Sequence, residues 1–571
     1  MDYYTLYKFS IEKKEEYWSQ VAEKLHWFKR WKRAFRKEGF KGIWFEGGLT
    51  NISYNAVDRN NGTALIWQSE DGKLEEFNYK EVKKFVEASA NFLINKGLRK
   101  NSKISLYMPN IPETLFLILG AARIGIVYNL IFAGLGRDAV WYRIKDFSPD
   151  LVVTTNYTIR RGTKIPLYTE LGNVILDRDK IRNEIIKYED KVEPVPIEAN
   201  EPLKVMYTSG TTGKPKGAIL PHGAWMVGDY SVFNVIFNLR PNDIVLTTAD
   251  VGWITFSRIF YGTLLHGSIF AFIEGAPDHP KDRIVKLIDT LKPKVFFTSP
   301  TFLRLLIKYG INIPRVEFIA TAGEIFDEKS WEYAEKHADK VTDIYGQTEL
   351  GYVIGIPYSL DNVSPKKGFS GVPLPGAVIE VVDEKGNRVK EREIGYLVAR
   401  EPFPTQFIGI YNNYQKYLEY FEKFGCHNTG DLALVEDGYI KIVGRDDDMI
   451  KIAGHRITSG EVEDIITKIP GVVEAAAVGV PDEIKGEKLV VFVVGNVKED
   501  EIIRKVRESL GSIYVIDKVY RVEKLPRSRS GKITRKILRD LLTNKPIDKS
   551  ILEDPEVIKD IEDKIKENKH D

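Results

Sequence analysis

Short β-branched segments alternate with helical ones through residues 63–444, and this alternation limits the possible folds more than any other feature of the sequence. Segments such as KISLYMP, VMYTS, IVLTTAD and FIATAG are rich in apolar residues and are closed by Gly, Pro, Ser or Asp. Strands buried on both faces and separated by helices are typical of parallel sheets. The pattern therefore predicts an α/β fold.

The length of 571 residues predicts more than one domain. Around residues 378–397 the pattern changes to short strands with turns, which indicates a β-rich subdomain. The run GRDDD at residues 444–448 places three acidic residues after a glycine, and such a run predicts an exposed hinge. We therefore expect a large N-terminal α/β domain with a β-subdomain (residues 1–446) and a small mobile α+β C-terminal domain (residues 447–571).

Charge and cysteine content exclude several classes of protein. Lys and Arg number 83 against 81 Asp and Glu, so the net charge of +2 gives no reason to expect nucleic acid or a membrane as partner. One cysteine excludes an intramolecular disulfide, and the charged N-terminus lacks a signal-peptide core. We expect a cytoplasmic protein, with a homo-oligomer left open, and a charge content compatible with a thermophile.

Residues 27–35 (WFKRWKRAF) interleave aromatic and basic side chains. Such a stripe can bind RNA or a membrane surface. Because the net charge is near zero, we favour the alternative of an N-terminal helix that packs its aromatic side chains on the main body.

The segment YTSGTTGKPKG at residues 207–217 carries the strongest functional signal and follows a predicted strand. Backbone N–H groups, hydroxyls and lysines in one glycine-rich loop suit a polyphosphate. Neither glycine frame matches the P-loop spacing G-x-x-x-x-G-K-[ST], and a purely structural turn is the alternative. The predicted phosphate-binding residues are Thr208, Ser209, Gly210, Thr211, Thr212, Gly213, Lys214 and Lys216.

This loop resembles the phosphate-loop motif of the acyl-adenylate-forming superfamily, which includes acyl-CoA synthetases, adenylation domains of peptide synthetases and luciferases. Further segments resemble that superfamily's motifs in the same order: TAGE (321–324), DIYGQTE (343–349), TGD (429–431), GR (444–445) and PRSRSGK (526–532). Residues 44–59 and 249–255 resemble the acetyl- and propionyl-CoA synthetase branch more narrowly. The resemblance spans residues 44–542. It implies the acyl-adenylate-forming enzyme fold and an AMP-forming acyl-CoA synthetase that uses ATP, Mg²⁺ and coenzyme A.

The resemblance implies a role for each matching residue. Lys532 would bridge the acyl carboxylate and the α-phosphate during adenylation, Thr348 would face the α-phosphate, and Glu349 would help to hold Mg²⁺, which prefers oxygen ligands. Asp431 would accept the ribose hydroxyls, although it could also simply cap a turn. The other implied ATP-binding residues are Gly323, Glu324, Ile325, Asp343, Ile344, Tyr345, Gln347, Arg445 and Arg456.

In the superfamily the C-terminal domain rotates after adenylation to admit the thiol of coenzyme A. Asp447 matches the hinge position of that rotation. The segment KIAGHR at residues 451–456 resembles the lining of the pantetheine tunnel, so Gly454 and His455 are implied in binding coenzyme A. A glycine there would let the pantetheine arm pass close to the backbone.

The phosphates of coenzyme A are assigned less completely. Arg160 and Arg507 match superfamily positions near these phosphates. A further superfamily arginine corresponds to Thr163 here, and Arg161 or Lys164 could substitute for it.

Gly346 is the most informative departure from the acetate enzymes, which carry a tryptophan there that closes the acyl pocket. Without the indole we expect room for several methylenes, each contributing about 0.8 kcal/mol on burial. Ala322 is smaller than the usual valine, whereas Ile254 and Thr255 keep the size and polarity of their counterparts. We expect a carboxylic acid of four carbons or more, such as butyrate, 4-hydroxybutyrate or a medium-chain fatty acid, and expect Gly346→Trp to restore a preference for acetate or propionate.

Other functions stay open at this point. The substrate could instead be acetate, propionate or 3-hydroxypropionate. An adenylating enzyme could serve a carrier-protein thiol, and a protein of another class could bind ATP without catalysis. The absence of an appended carrier domain and the complete set of motif residues disfavour the last two.

Overall fold

The structure is a computed structural model that describes residues 1–208, 214–452, 455–511, 514–528 and 531–568, with residues 451, 455 and 456 described by their backbone alone. The N-terminal segment contains α1 (Tyr3–Glu12), α2 (Lys14–Ala22), β1 (Arg33–Glu38), β2 (Lys41–Glu46) and β3 (Leu49–Thr50). Residues 63–208 contain β4 (Thr63–Gln68), β5 (Leu74–Asn78), α3 (Tyr79–Asn95), β6 (Lys103–Met108), α4 (Pro112–Arg123), β7 (Val127–Phe132), α5 (Arg137–Phe147), β8 (Leu151–Thr155), β9 (Tyr157–Arg160), β10 (Thr163–Pro166), β11 (Val174–Leu176), α6 (Ile181–Ile186), β12 (Ile197–Glu198) and β13 (Pro202–Thr208).

The second half of the large domain follows the same alternation. Residues 216–355 contain β14 (Lys216–Pro221), α7 (His222–Phe237), β15 (Ile244–Thr247), α8 (Ile254–Leu264), β16 (Ile269–Ile273), α9 (Arg283–Leu291), β17 (Val295–Thr298), α10 (Pro300–Lys308), β18 (Val316–Ala322), α11 (Glu328–His337), β19 (Ala338–Gln347) and β20 (Gly351–Gly355). Residues 372–445 contain β21 (Val372–Pro373), β22 (Ile379–Val382), β23 (Gly395–Ala399), β24 (Gly409–Ile410), α12 (Tyr414–Glu422), β25 (His427–Glu436) and β26 (Tyr439–Arg445).

Two large sheets form the centre of the molecule. One has nine strands in the order β21-β20-β19-β18-β17-β15-β16-β4-β5, with parallel pairing from β19 to β4. The other has seven in the order β11-β8-β6-β7-β13-β14-β24, parallel from β11 to β13. Antiparallel strands flank each parallel core. The largest apolar cluster includes residues of α3, α4, α7 and α8 and of both sheets, because the strands are apolar on both faces.

A four-stranded antiparallel sheet, β22-β23-β25-β26, forms the β-subdomain. The C-terminal part contains β27 (Met449–Ile452), β28 (His455–Thr458), α13 (Ser459–Thr467), β29 (Val472–Asp482), β30 (Gly486–Gly495), α14 (Glu499–Leu510), β31 (Ile516–Arg521), α15 (Arg535–Leu542) and α16 (Val557–Glu567). Its five strands form a separate sheet with its own apolar clusters. The predicted fold class, a large α/β domain with a small α+β domain, is confirmed.

The basic-aromatic stripe packs as expected but is not a helix. Trp31 is 7% exposed, and its ring lies 5.0 Å from the Trp27 ring and 5.3 Å from the Phe45 ring. The stripe runs through a loop into β1, where Arg33 pairs with Glu46 of β2. In the part of the chain that the structure describes, no helix has both the length and the hydropathy to cross a membrane.

Two histidines lie on or next to the helices that frame the central sheets: His222 is buried, and His266, which follows α8, is half-buried. His222 begins α7, and its Nε2 accepts a hydrogen bond from the Ile52 N–H at 2.9 Å, which requires an unprotonated nitrogen. Burial lowers the pKa of His222 to about 3 and that of His266 to about 4. Both rings are therefore neutral in the folded chain at neutral pH.

We expect these histidines to decrease the free energy of unfolding at acidic pH. Each takes up a proton near pH 6.5 in the unfolded chain but only near pH 3–4 in the folded chain, so the free energy of unfolding decreases as pH falls below 6.5. The expected slope is at most about 1.4 kcal/mol per pH unit for each histidine. Urea unfolding followed by circular dichroism between pH 5 and 7 measures it. In His222→Gln the slope should lose the contribution of one histidine, and in His222→Gln/His266→Gln it should lose the contributions of both. An unchanged slope in the double variant would contradict this assignment.

Candidate active site

The phosphate loop joins two paired strands. Thr208 ends β13 and lies opposite Lys216, which begins β14. Lys214 is exposed, and its Nζ lies 5.3 Å from the Tyr142 ring centroid. The predicted phosphate ligands Ser209, Gly210, Thr211, Thr212 and Gly213 lie outside the described residues.

The DIYGQTE segment begins on β19, and its first residues hold the sheet together. The Asp343 carboxylate accepts hydrogen bonds from Thr321 Oγ1 at 3.0 Å and from Ser370 Oγ at 2.9 Å. Burial raises the pKa of Asp343 to about 7, against these donors. Ile344 is 1% exposed and belongs to the core. Asp343 and Ile344 therefore support the site through hydrogen bonds and packing.

Asp431 lies opposite this segment, on β25. Its Oδ2 accepts a hydrogen bond from the Tyr345 hydroxyl at 2.5 Å, and its Oδ1 lies 3.5 Å from an Arg445 nitrogen. Burial raises the pKa of Asp431, and the charges of Arg445 and Lys532 oppose this effect. The structure thus brings Tyr345, Asp431, Arg445 and Lys532 together, although they are distant in the sequence.

Gln347 ties the two strands to each other. Its Nε2 donates to the Thr429 carbonyl at 2.7 Å, and its Oε1 lies 3.1 Å from His427 Nε2. Burial lowers the pKa of His427 to about 3, so the ring is neutral. Its Nε2 must then carry the proton donated to Gln347, and Nδ1 faces Gln406 Nε2 at 3.4 Å. His427 lies outside the motifs, and no feature of the sequence pointed to it.

Glu349 is the residue best placed to hold a divalent cation. It is 8% exposed, and its Oε1 accepts a hydrogen bond from the Tyr420 hydroxyl at 3.1 Å. Lys216 Nζ lies 5.8 Å from the Tyr420 ring. Among the described residues no cluster of three or more His, Cys, Asp or Glu forms a metal cage. One carboxylate fits Mg²⁺, which commonly takes one or two carboxylates and completes its shell with phosphate oxygens and water. Thr348 is half-buried beside Glu349.

The loop that carries Lys532 docks beside the TAGE segment. Arg527 donates to the Thr301 hydroxyl at 3.3 Å and pairs with Glu474. Thr301 in turn donates to Glu324 at 2.6 Å. Next to Glu324, Gly323 has a left-handed φ of +91° and Ile325 is 43% exposed, so this segment presents an open surface. Lys532 itself is exposed.

The acidic run is less exposed than expected. Asp447 accepts a hydrogen bond from Arg445 Nε at 3.2 Å, and Asp448 lies 3.9 Å from Arg535. Asp446 is exposed, whereas Asp447 and Asp448 are half-buried. The run is thus only partly exposed, because two of its residues each face an arginine that offsets their charge, and the hinge at this run stays a prediction.

Of the residues assigned to coenzyme A, Arg160 is the best described. It ends β9, and its guanidinium lies 3.4 Å from Glu553 near the C-terminus. Glu70 braces the β9–β10 turn by accepting from the Arg161 N–H at 2.8 Å and from the Gly162 N–H. Arg161 is itself paired with Asp278 at 2.9 Å.

The other residues assigned to coenzyme A are partly outside the described set. Arg507 is exposed in the last turn of α14. His455 and Arg456 lie on β28, with only their backbone described, and Gly454 lies outside the described residues.

The residues predicted to line the acyl pocket come together at the ends of α8, β18 and β19. Ile254, Thr255 and Gly346 are half-buried, and Ala322 is 7% exposed. Ala322 lies opposite Ile344 of the DIYGQTE segment, and Thr255 and Gly346 both lie beside Tyr352.

Gly346 has close neighbours on one side. Tyr352 of β20 lies opposite Gly346, with a register shift between Tyr345 and Gly346. A Cβ at position 346 would lie 2.7 Å from Tyr352 Cδ1 and 2.2 Å from the Gly351 carbonyl oxygen. The Tyr352 ring and the Gly351 backbone therefore occupy the space into which a side chain at position 346 would first extend, and the open acyl pocket stays a prediction.

Comparison with known proteins gives three family matches. The AMP-binding enzyme profile matches residues 53–410, the AMP-binding enzyme C-terminal domain matches residues 461–532, and the acetyl-coenzyme A synthetase N-terminus matches residues 3–56. A 3-hydroxypropionyl-coenzyme A synthetase of Sulfurisphaera tokodaii is 37% identical, covering 100% of this chain and 96% of that protein. An acetyl-coenzyme A synthetase of Chlorobaculum tepidum is 34% identical over 98% of this chain and 93% of its own.

A solved structure, an acetoacetyl-CoA synthetase from Streptomyces lividans, superposes with a TM-score of 0.88 at 21% identity, covering 99% of this chain and 94% of that chain. At this level of identity, the similarity concerns the fold.

We expect Gly346→Ala to destabilise the fold without shifting the acid preference toward acetate. The added Cβ would collide with the Gly351 carbonyl oxygen, and such overpacking costs about 1–3 kcal/mol. Gly409→Ala is the matched control, because a Cβ there meets only Ile219 at 3.5 Å. Urea midpoints of both variants check this. A stable Gly346→Ala variant that prefers acetate would instead support the view that the missing side chain at Gly346 makes room for a longer acid. Gly346→Trp tests this view less cleanly, because the larger side chain would make the same collision.

Tyr420→Phe should weaken the use of Mg²⁺. The variant removes the hydrogen bond to the Glu349 carboxylate, and a charge-assisted bond of about 1.5 kcal/mol corresponds to roughly a tenfold rise in the Mg²⁺ concentration for half-maximal activity. Pyrophosphate release at fixed ATP and varied Mg²⁺ measures this. Tyr414→Phe, at a 61% exposed tyrosine on the same helix, is the control. An unchanged Mg²⁺ dependence in Tyr420→Phe would show that Tyr420 does not support the cation site.

Proposed function

This chain belongs to the AMP-binding enzymes, in the family of AMP-forming acyl-CoA synthetases, and we propose that it joins a carboxylic acid to coenzyme A through an acyl-adenylate. Members of this family use ATP, Mg²⁺ and coenzyme A. One observation carries the proposal: Glu349 with Tyr420, Asp431 with Tyr345, and the Lys532 loop converge on the end of β19.

In the proposed first step, a carboxylate oxygen of the acid attacks the α-phosphorus of ATP and the bond to the β-phosphate breaks. Negative charge builds on the phosphoryl oxygens, so positioned charges contribute most of the catalysis. Lys532 and Thr348 would stabilise the α-phosphate and the attacking carboxylate. Glu349 would hold Mg²⁺, which offsets the charge of the leaving diphosphate. The Thr208–Lys216 turn would bind the β- and γ-phosphates.

The nucleoside would lie between the TAGE segment and Asp431. We propose that Asp431 accepts the ribose hydroxyls, since a carboxylate accepts two donors at once, and that Arg445 holds that carboxylate in place. Gly323, Glu324 and Ile325 would line the adenine. Tyr345 and Gln347 would position these groups, Asp343 and Ile344 would support them, and Arg456 would contact phosphate.

In the proposed second step, the thiol of coenzyme A attacks the acyl carbonyl, the bond to AMP breaks and the thiol proton is released. The domain of residues 447–571 would rotate about Asp447 to admit the thiol. Gly454 and His455 would line the pantetheine arm, and Arg160 and Arg507 would contact the phosphates of coenzyme A.

For the acid, we propose a chain of four carbons or more, such as butyrate, 4-hydroxybutyrate or a medium-chain fatty acid. Gly346 and the small Ala322 support this, although Tyr352 takes up part of the space. The similarity to acetyl- and 3-hydroxypropionyl-coenzyme A synthetases favours a second candidate, acetate or 3-hydroxypropionate. Pyrophosphate release with acids from acetate to octanoate separates the two. A maximum at four carbons or more supports the first, and a maximum at two or three supports the second.

Lys532→Ala should slow adenylation strongly but leave thioester formation largely unaffected. Loss of a charge at the reacting phosphate is expected to slow pyrophosphate release by about 10²–10³-fold. Synthetic acyl-adenylate supplied with coenzyme A should still give thioester at a rate within a few-fold of the unmodified enzyme. Lys524→Ala, at an exposed lysine of the same region, is the control. Unchanged pyrophosphate release in Lys532→Ala would overturn the assignment of the adenylation step.

A further inference from the structure

A cluster of buried polar side chains lies behind the acyl pocket, and the function proposed above does not use it. We call Lys204, Asp229, Arg258 and Tyr352 the inner polar cluster. They come from β13, α7, α8 and β20 and are 0%, 2%, 2% and 3% exposed. Charged side chains are rarely this buried unless they are paired.

Each member of the inner polar cluster has a polar atom without a hydrogen-bond partner. In the described part of the chain, these atoms are Lys204 Nζ, Asp229 Oδ2, Arg258 Nε and Tyr352 Oη. Burial raises the pKa of Asp229 and lowers the pKa of Lys204, so it disfavours the charged form of both side chains, and the charges of their neighbours oppose this effect. Buried polar groups are normally satisfied, so such a group of atoms indicates bound water or a polar group of a ligand.

The cluster is adjacent to the predicted pocket. Arg258 lies one helical turn beyond Ile254 and Thr255 on α8, on the same face. Its guanidinium donates to the Gln347 carbonyl and lies 4.3 Å from the Tyr352 ring centroid. Since Gln347 follows Gly346, and Tyr352 lies beside Gly346, Arg258 and Tyr352 lie next to the residues predicted to line the acyl pocket.

The Tyr352 hydroxyl faces the same place. Burial raises the pKa of Tyr352, while the charge of Arg258 and the hydroxyl of Thr255 lower it, which places both groups near Tyr352 Oη. Neither meets the geometry of a hydrogen bond to that atom. The Tyr352 hydroxyl, which can donate and accept, therefore has no hydrogen-bond partner, and we expect the far end of an acyl chain to lie beside it.

We propose that Tyr352 and Arg258 bind a hydroxyl group at the far end of the acid, so that the substrate is an ω-hydroxy acid. This rests on the proposed acyl-CoA synthetase function. A hydroxyl can accept from Arg258 or Tyr352 and donate to the free acceptor that remains. A plain alkyl chain would leave these buried groups unsatisfied, and sites built to bind a hydroxyl reject the analogue that lacks it.

A second carboxylate fits the same place less well. Burial already disfavours the charged forms of Asp229 and Lys204 in this cluster. A further anion would have to lose its water in the same buried place. An uncharged hydroxyl needs no counter-ion.

The test compares acids that differ by one terminal hydroxyl. The pairs are propionate with 3-hydroxypropionate, butyrate with 4-hydroxybutyrate, and valerate with 5-hydroxyvalerate, with succinate as the dicarboxylate. We expect kcat/KM for one hydroxy acid to exceed that of its alkyl partner by at least tenfold, measured as pyrophosphate release with ATP, Mg²⁺ and coenzyme A.

Tyr352→Phe isolates the hydroxyl, because the ring and its contact with Arg258 remain. The preference for the hydroxy acid should fall about tenfold, and a cooperative urea transition of Tyr352→Phe shows that the variant folds. Tyr333→Phe, whose hydroxyl donates to the Ile311 carbonyl far from the site, should keep the preference.

Three results would overturn the inference: an alkyl acid preferred to its hydroxy partner in every pair, succinate preferred to all of them, or an unchanged preference in Tyr352→Phe. Each leaves the synthetase function intact, because adenylation still occurs. Absence of pyrophosphate release with every acid would instead refute the proposed function and the inference with it.

Discussion

The hydrogen bonds of Gln347 are the constraint on which the rest of the site depends. The side chain joins β19 to β25 through the Thr429 carbonyl and to the neutral ring of His427, and its own carbonyl accepts from Arg258. All of these partners are largely buried, where an unmade hydrogen bond costs far more than in water. This residue therefore fixes the spacing between the Asp431 side, the Glu349 side and the acyl pocket at once. It does so without needing to contact any substrate.

The sequence predicted the fold class, and it marked the motif segments that the structure brings together, because both leave local signals. Buried strands are apolar, and the motif loops are rich in glycine and hydroxyl groups. It did not predict Tyr420, His427 or Tyr352, since an aromatic residue within an element looks like any core residue until the fold places it beside a motif. Gly346 illustrates this limit. The sequence shows that a side chain is missing there, but only the fold shows that the Tyr352 ring and the Gly351 backbone lie next to it.

The inner polar cluster and the motif segment show two different uses of burial. In the motif segment, buried polar groups such as Asp343 have their donors and act as supports. In the cluster, each side chain has one buried polar atom without a hydrogen-bond partner. A folded chain tolerates such a cost mainly where function requires it. This contrast distinguishes side chains that support the site from side chains that we propose to bind a ligand.

The ion pair between Arg160 and Glu553 has a consequence for the order of events at the surface. An anion that binds Arg160 must displace the Glu553 carboxylate, so the anion and the carboxylate compete for the same guanidinium. Because both side chains are about half exposed, the pair is worth at most about 1 kcal/mol and yields easily. The C-terminal segment thus behaves as a built-in weak competitor whose strength declines as ionic strength rises.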